Sequence, residues 1–367
     1  MLKIAPGLIT EVKKASSISD LQQYMQLAIE LEHATIPPYL TAQFSIMNGQ
    51  NQKIKELIHS VVIEEMLHMC IASNILNALG GSPKMNNPDF IPEYPGKLPM
   101  NIGEGLEVRL KKLTKAQVHD VFMKIEEPVN PIPIEKPPTD LLTAEKFVPE
   151  EFDTIGEFYE TMKKRILELG GDKLPGNPEK QVTSSFYSKD ELFPVITKED
   201  AARAIDIIVE QGEGATSPYD ESGELAHYYK FYEIYEGRQI ETVPGSNPPK
   251  YAFSGPEIPY NEQGVHNIFP DTKVDMLTEG TLQYRMAKDF AEAYNKLLNG
   301  LHQVFNGNPD DLGKTFGLMY DVKLYAEKLC ATDFPDKAGY KIGPPFQYLK
   351  VPGSSVIHDT KDSIPPL

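Results

Sequence analysis

The chain has 367 residues, a net charge of −17 and a pI of about 5.0, and 40 % of its residues are hydrophobic. An acidic surface of this kind repels nucleic acid and anionic membranes, and no uninterrupted apolar run reaches the length of a membrane span, so neither partner is expected. The first residues contain no apolar signal segment, and two cysteines, Cys70 and Cys330, do not make a disulfide framework; together these features predict a cytoplasmic protein.

The first two predicted elements are long helices joined by a tight turn. An amphipathic run extends from Leu21 to about Met47, and "NGQN" at 48–51 is a turn. The second run extends from Gln52 to Leu79 and ends at the Gly80-Gly81 pair, a common C-terminal signature. A short connection predicts that the two helices pack side by side.

The rest of the chain alternates proline-rich connections with further helices. Residues 83–150 are proline-rich and extended, apart from one short helix in "KAQVHDVFMKIEE". The later predicted helices are Thr154 to Leu169, Ala201 to about Glu213, 223–237, Asp275 to Asn306 and Pro309 to Ala331, with a long loop at 238–272. We expect a mainly α fold in one domain, 1–367, with a first helix pair at 18–82, an insertion at 83–150, the second half of a bundle at 154–237, and a loop, two helices and a tail at 238–367.

The second helix carries an acid and a histidine on an otherwise apolar face. This face contains Ile54, Ile58, Val61, Glu65, His68, Ala72, Ile75 and Leu79. Glu65 and His68 are three residues apart, so their side chains are neighbours. A bare carboxylate in a core costs several kcal/mol unless a cation pairs with it. Since Glu-x-x-His pairs in bundles hold di-iron and di-manganese centres, the pattern predicts a metal site.

The first helix repeats the pattern with one acid. Glu32 shares a face with Leu21, Ala28, Thr35, Tyr39 and Ile46, whereas Glu30 points elsewhere and is expected to be a solvated charge. If the turn at 48–51 closes a hairpin, Glu32 lies level with Glu65 and His68. The same helix carries Pro37 and Pro38, which break helix hydrogen bonds, so we expect a kink that opens room for a substrate beside the metals.

These residues resemble a known family. Glu32, Tyr39, Glu64, Glu65 and His68, in "IELEHATIPPYL" and "IEEMLHMCIASNIL", match the first helix pair of the ferritin-like fold. With "NNPDFIPEYPGKLP", "TIGEFY", "IVEQGEG", "AHYYKF" and "GPPF", the chain from about 18 to 350 resembles the ferritin-like family named for iminophenyl-pyruvate dimer synthase. The resemblance implies two Fe ions, with Mn as the alternative. The pathway enzymes of that name are much longer, so their substrate does not simply transfer.

The second half of the metal site is expected from the later helices. On "AARAIDIIVEQGEG", Glu213 shares the apolar face with Ala202, Ile205 and Val209, whereas Glu210 lies on the polar face. We expect Glu213 and His227 to imitate a second Glu-x-x-His across an inserted loop. The rival is the literal pair Glu224 and His227.

The sixth ligand should come from the third helix. The family resemblance points to Glu157. However, the apolar stripe of Ile155, Phe158 and Met162 lies nearly opposite Glu157, and Thr154 with Glu157 forms a capping box that explains this glutamate without a metal. Both interpretations of Glu157 stay open at this point.

The favoured hypothesis is a dinuclear non-haem metal oxidase or oxygenase. It would use O2 or peroxide on a small substrate, which the family implies is derived from an aromatic amino acid, and Tyr39 would tune a ligand through a hydrogen bond. The long connections at 83–150 and 238–272 favour an enzyme, because long loops in compact domains are usually functional. The alternatives are a metal-handling protein, either an iron store or a di-manganese catalase, and a bundle that binds a partner without metal. Homo-oligomerisation is compatible with each of these.

Overall fold

The computed structural model describes residues 7–101, 106–128, 130–136, 155–183, 186–214, 217–220 and 222–349. Within them the chain is mainly α-helical, as predicted. The helices are α1 (Leu8–Lys14), α2 (Gln22–Phe44), α3 (Gln52–Ala78), α4 (Lys115–Gln117), α5 (Met123–Ile125), α6 (Ile155–Leu169), α7 (Lys198–Glu213), α8 (His227–Glu236), α9 (Leu282–Phe305) and α10 (Leu312–Ala331). A π-helical turn, Val118–Phe122, joins α4 to α5.

The bundle that positions the site consists of α2, α3, α6 and the pair α7 and α8. Helix α2 packs along α3, α6 along α7, and α3 contacts both α7 and α8. The apolar face predicted for the second helix is the buried one, since Ile54, Ile58, Val61, Ala72 and Ile75 are all fully buried. The hairpin expected between the first two helices is therefore present, and its faces point into one core.

Helix α2 continues through both prolines. It is helical from Gln22 to Phe44, and Pro37 and Pro38 are buried inside it. Proline 38 has no N–H for the carbonyl of Ala34, four residues earlier, and the hydroxyl of Tyr94 donates to that carbonyl at 2.8 Å instead. A residue of the proline-rich insertion thus satisfies one backbone group that the prolines leave unbonded.

Three later helices begin at other residues than predicted because of local hydrogen bonds; α9 begins not at Asp275 but at Leu282, where the Thr281 hydroxyl accepts from the Tyr284 N–H. Helix α7 begins at Lys198, because the Thr197 hydroxyl accepts from the Asp200 N–H and the Asp200 carboxylate accepts from the Thr197 N–H. It ends before Gly214, whose φ of 72° suits glycine. Helix α8 begins at His227 and not at 223, since Asp220 binds the backbone of Glu224 in a turn.

A small sheet lies beside α8. Strand β3 (Tyr251–Ala252) is central; β1 (Ile134–Glu135) pairs with it in parallel and β2 (Glu241–Thr242) antiparallel. The registers are Ile134 with Tyr251 and Thr242 with Tyr251. The sheet ties the end of the insertion to the loop at 238–272.

The C-terminal helices α9 and α10 pack on each other, and both contact the first helix pair. The Asn77 amide donates to the Phe305 carbonyl at 2.9 Å, and the core of the bundle continues into α9 through Phe290, Leu298 and Phe305. Among the residues described, no helix has the length and apolar character that a membrane span requires.

Candidate metal centre

Five ligand-type side chains converge in the middle of the bundle. Glu32 comes from α2, Glu65 and His68 from α3, Glu126 from the residue after α5, and His227 from the start of α8. None is more than 8 % exposed. Three carboxylates buried together cost several kcal/mol each unless positive charge compensates them, so this arrangement calls for cations.

Glu65 lies between the two histidines. Its Oε1 is 2.9 Å from Nδ1 of His227, and its Oε2 is 4.0 Å from Nδ1 of His68. Nδ1 of His68 also lies 3.5 Å from Glu32 Oε2, and Nδ1 of His227 lies 3.5 Å from Glu126 Oε2. One carboxylate thus faces two Glu–His pairs, which is the donor geometry of a bridged pair of metal ions.

We call these pairs the His68 half-site (Glu32, His68, Tyr159) and the His227 half-site (Glu126, His227, Tyr39). Each contains a tyrosine because the buried Tyr159 hydroxyl donates to Glu32 and the buried Tyr39 hydroxyl donates to Glu126. Burial raises the pKa of both phenols well above the usual range, and the neighbouring carboxylates raise it further. Both tyrosines therefore stay protonated and act as fixed donors.

The far nitrogen of each histidine has its own partner. Nε2 of His227 is 2.9 Å from Glu64 Oε2, and both Glu64 oxygens accept from Lys230 Nζ at 2.6 and 2.7 Å. Nε2 of His68 is 3.0 Å from Gln211 Oε1. With Nε2–H donated outward in both rings, Nδ1 is the nitrogen that faces the carboxylates in each ring, and it can serve as a metal ligand when it carries no proton.

The protonation of the cluster reflects its burial. Burial raises the pKa of Glu65 well above its usual range, and the charge of Glu126 adds to this. Burial opposes the protonated form of His227, but the nearby carboxylates of Glu126, Glu64 and Glu65 outweigh burial and raise the pKa of His227 well above the usual range. Burial also disfavours ionised Glu32, but interactions with His68 and Tyr159 outweigh burial and lower its pKa. Protons therefore take part of the place of cations in this cluster.

The donor set fits a pair of divalent metal ions. Within the described part of the chain, Nδ1 of His227 is fully buried without a partner in hydrogen-bond geometry, although Glu65 Oε1 is only 2.9 Å away. Ligand atoms of Glu65, His68 and His227 lie within 4.8 Å of one another. Carboxylate oxygen with imidazole nitrogen suits Fe or Mn and does not require thiolate.

The structure does not bring Glu157 into this cluster. Its side chain is 42 % exposed, and its Oε1 lies 4.0 Å from Nζ of the surface residue Lys13. The inward polar residue of α6 is Tyr159, two positions later, because the buried face of the helix runs through Phe158, Tyr159 and Met162. Glu157 therefore lies at the surface on the first turn of α6, and its ligand role stays a prediction. Its proposed cap, Thr154, lies outside the described residues.

Helix α7 presents a different face from the predicted one. The buried positions are Ala201, Ala204, Ile205, Ile208 and Gln211, because α3 covers the helix on one side and α6 on the other. Glu213 is the last residue of α7, and its side chain lies outside the described residues, so its ligand role stays a prediction. The rival Glu224 is exposed and precedes α8, so the literal Glu224–His227 pair does not form one helix face.

Glu126 is the candidate ligand that sequence reasoning missed. It follows the stripe of Val118, Phe122 and Ile125, all buried, at the end of the short predicted helix. An acid on an apolar stripe was the signal that identified Glu32 and Glu65, and the same test applied to "VHDVFMKIEE" would have found Glu126. The insertion therefore supplies a carboxylate that we expected from the third helix.

A pocket lies at the cluster, with about 450 Å³ of empty space when the open solvent at its mouth is included. Beyond the carboxylates, histidines and Tyr159, its wall is mostly apolar, with Leu31, Thr35, Ile125, Ile155, Gly156, Ile208, Val209 and Gly212. A Cβ atom built on Gly212 would meet no atom of the described residues within 4 Å. Pro37 and Pro38 are not in this wall, so the opening lies beside α6 and α7 and not at the prolines, where we expected it.

The chain is similar to known proteins along most of its length. The family model described as Ferritin-like matches residues 25–236. Dichlorochromopyrrolate synthase of Lentzea aerocolonigenes is 22 % identical over 92 % of this chain. The chain spans only 36 % of that protein's length.

A solved structure supports the fold. A ferritin-like protein from Caulobacter vibrioides superposes with a TM-score of 0.56, covering 90 % of this chain and 97 % of that one, at 22 % identity. At this identity the likeness concerns the fold alone.

Proposed function

Because this chain belongs to the ferritin-like family, we propose that it is a dinuclear non-haem metal oxidase or oxygenase that acts on a small substrate derived from an aromatic amino acid. The observation that carries the proposal is Glu65, which faces a Glu–His pair on each side. Two Fe ions are the proposed metals, with Mn as the alternative. When bound, they supply redox chemistry toward O2 or peroxide.

The residues around the cluster have separate tasks in this proposal. Glu32 and His68 would hold one ion, Glu126 and His227 the other, and Glu65 would bridge them. Tyr39 and Tyr159 fix the outer carboxylates by hydrogen bonds, which limits how far these can turn when the charge of the centre changes. Neither tyrosine is proposed as an acid catalyst, because burial raises the pKa of both phenols and they give up their protons less readily.

The cavity supports an organic substrate. Its apolar side chains exclude water around a reacting group, and Gly212 leaves space against the cluster. The similar synthase is named for making dichlorochromopyrrolate, which favours an aromatic substrate for this chain as well. We propose no nucleic acid or membrane as a partner, and homo-oligomers are compatible with the proposal.

The test is metal reconstitution followed by oxygen uptake. The protein, loaded with Fe(II) under argon, should hold two metal ions per chain and consume O2 faster when aromatic amino acids or their 2-oxo acids are present. Glu65→Gln should lose most metal, while the matched control Glu30→Gln, on the neighbouring helix, should keep both ions. Two metal ions without any substrate-dependent uptake would favour a metal store, and no metal in the wild-type protein would overturn the proposal.

A further inference from the structure

The two half-sites contain the same residue types, but the hydrogen-bond acceptor at Nε2 of the histidine differs between them. Each has one terminal glutamate, one histidine and one tyrosine that donates to the glutamate. The acceptor at Nε2 is a carboxylate in one case and a carboxamide in the other. The two half-sites are therefore alike in their ligand-type residues and unlike in the charge of the group that accepts from the histidine.

At the His227 half-site the acceptor carries full charge. Lys230 is 2 % exposed and can only donate, and its Nζ contacts both oxygens of Glu64. Nζ of Lys230 lies 2.7 and 2.6 Å from the two Glu64 oxygens, a buried ion pair in which Glu64 is the carboxylate partner. A carboxylate that accepts from Nε2–H makes the imidazole a stronger donor at Nδ1.

At the His68 half-site a charge acts through an intermediate residue. The Gln211 Nε2 donates to Glu191 Oε1 at 3.0 Å. A carboxylate only accepts, so it orients the amide with Oε1 toward His68, which then must donate from Nε2. Glu191 thereby selects the tautomer of His68. The charge of Glu191 is separated from the His68 ring by the Gln211 side chain, whereas Glu64 contacts the His227 ring directly. The electrostatic effect of Glu191 on His68 is therefore weaker than that of Glu64 on His227.

We propose that the two half-sites bind metal with unequal affinity and in a fixed order, the His227 half-site first, with Glu64 and the Gln211–Glu191 pair as the positioning residues that set the difference. The inference rests on the proposed dinuclear centre. It concerns the strength of the two histidine ligands, which differ because a carboxylate touches one ring and a carboxamide the other.

The first experiment separates the two binding steps. Calorimetric titration of the full metal-free chain with Mn(II) should show two steps whose dissociation constants differ at least tenfold, the size of effect that such outer hydrogen bonds usually have. The His68→Ala variant should retain a single step close to the tighter wild-type constant. The His227→Ala variant should retain a single step close to the weaker one.

Exchange of the outer acceptors then tests the cause. The double variant Gln211→Glu, Glu191→Gln places a carboxylate beside His68 and an amide behind it, so it should strengthen the weaker step. Glu64→Gln should weaken the tighter step, so each of these variants brings the two dissociation constants closer together. Glu191→Gln alone should weaken only the step assigned to His68, since the Gln211 amide can then turn. A purely structural effect would change both steps together. The double variant keeps the inference testable if Glu64→Gln leaves Lys230 uncompensated and unfolds.

The outcomes are distinguishable. Two equal steps in the wild-type protein, or tighter binding in His227→Ala than in His68→Ala, would overturn the inferred order while leaving the dinuclear centre intact. Absence of Mn(II) and Fe(II) binding would instead remove the proposed function itself.

Discussion

Each histidine of the cluster is oriented by the side chain that accepts from its Nε2. Glu64, which Lys230 binds in turn, accepts from His227, and Gln211 accepts from His68. A free imidazole can protonate either nitrogen, so without these acceptors Nδ1 would not reliably present a lone pair to the carboxylates. At the scale of single residues, the arrangement is therefore prepared for metal by its surroundings as well as by its ligands.

Glu126 is expected to be as necessary for full metal loading as the helix residues. Glu126→Ala should reduce the metal content from two ions to about one per chain, because the His227 half-site loses its terminal carboxylate. Elemental analysis after reconstitution measures this. Glu127→Ala is the matched control, since the Glu127 carboxylate pairs with Lys124 at 3.1 Å. Equal losses in both variants would show that Glu126 is not a ligand.

Metal affinity is expected to fall as the pH is lowered. The raised pKa values of Glu65 and His227 mean that protons occupy metal-ligating atoms in the metal-free protein. These protons must leave when metal binds. Protons therefore compete with the metal more strongly at lower pH, and metal affinity rises as the pH is raised. Mn(II) titrations between about pH 6 and 8, in buffers of different ionisation enthalpy, count the released protons. An affinity independent of pH, with no proton release, would contradict this.

At the scale of elements, the proline-rich insertion does more than connect helices. It supplies Glu126 to the cluster, Ile125 to the cavity wall and Tyr94 to the backbone of α2. In the last turn of α7, Gly212 lines the cavity. The bundle thus receives a candidate ligand from outside its main helices.

Tyr94 is expected to stabilise α2 only because Pro38 is present. Tyr94→Phe should cost about 1–3 kcal/mol, since the buried Ala34 carbonyl loses its donor. In the Pro38→Ala background the cost should shrink, because the restored N–H of residue 38 bonds the same carbonyl. Urea unfolding of the four proteins gives the coupling energy.

The control for this cycle is Tyr260→Phe. The Tyr260 hydroxyl also donates to a backbone carbonyl, that of Leu113, at 3.3 Å. Tyr260→Phe should lower the free energy of unfolding by the same amount with and without Pro38. If Tyr94→Phe also costs the same in both backgrounds, the carbonyl of Ala34 does not depend on Tyr94.

Gly212 is expected to set the size of the molecule that reaches the cluster. Gly212→Leu should reduce turnover of the larger substrates at least tenfold and leave metal content unchanged, because the new side chain enters the cavity and not the ligand cluster. Gly317→Leu, in α10 where a Cβ also meets nothing within 4 Å, controls for the general effect of replacing a helical glycine. Undiminished turnover in Gly212→Leu would place the substrate elsewhere.

At the scale of the whole molecule, the C-terminal helices and the bundle share one core. Asn77 binds the end of α9, and the buried His33 ring of α2 is hydrogen-bonded to Tyr294 of α9. Burial lowers the pKa of His33 to about 3, so this contact is made by a neutral ring. On the basis of these contacts we propose that residues 1–367 form a single domain.

A single domain is expected to unfold in one transition. Helical circular dichroism and tyrosine absorbance should melt together, because unfolding of α9 and α10 would expose the apolar backs of α2 and α3. Calorimetry checks that the measured and van't Hoff enthalpies agree. Two resolved transitions, with the C-terminal pair melting first, would show separate units.

The sequence alone predicted the helices and the inward residues of the first pair. Periodicity within one helix reports which side chains share a face, and it identified Glu32, Glu65 and His68 because an acid or histidine on an apolar stripe is costly without a purpose. His227 came from the family resemblance and lies in the same cluster.

The tertiary structure decided what those residues meet. Glu126 reaches the cluster only through the path of the insertion. Tyr159, and not Glu157, faces inward on α6, and Gln211 was recognisable as a partner of His68 only once α7 was packed against α3. Local periodicity carries no information about contacts between segments far apart in the chain. Those contacts form only when the whole core packs and its polar groups find hydrogen-bond partners. Packing of distant segments therefore completes both half-sites.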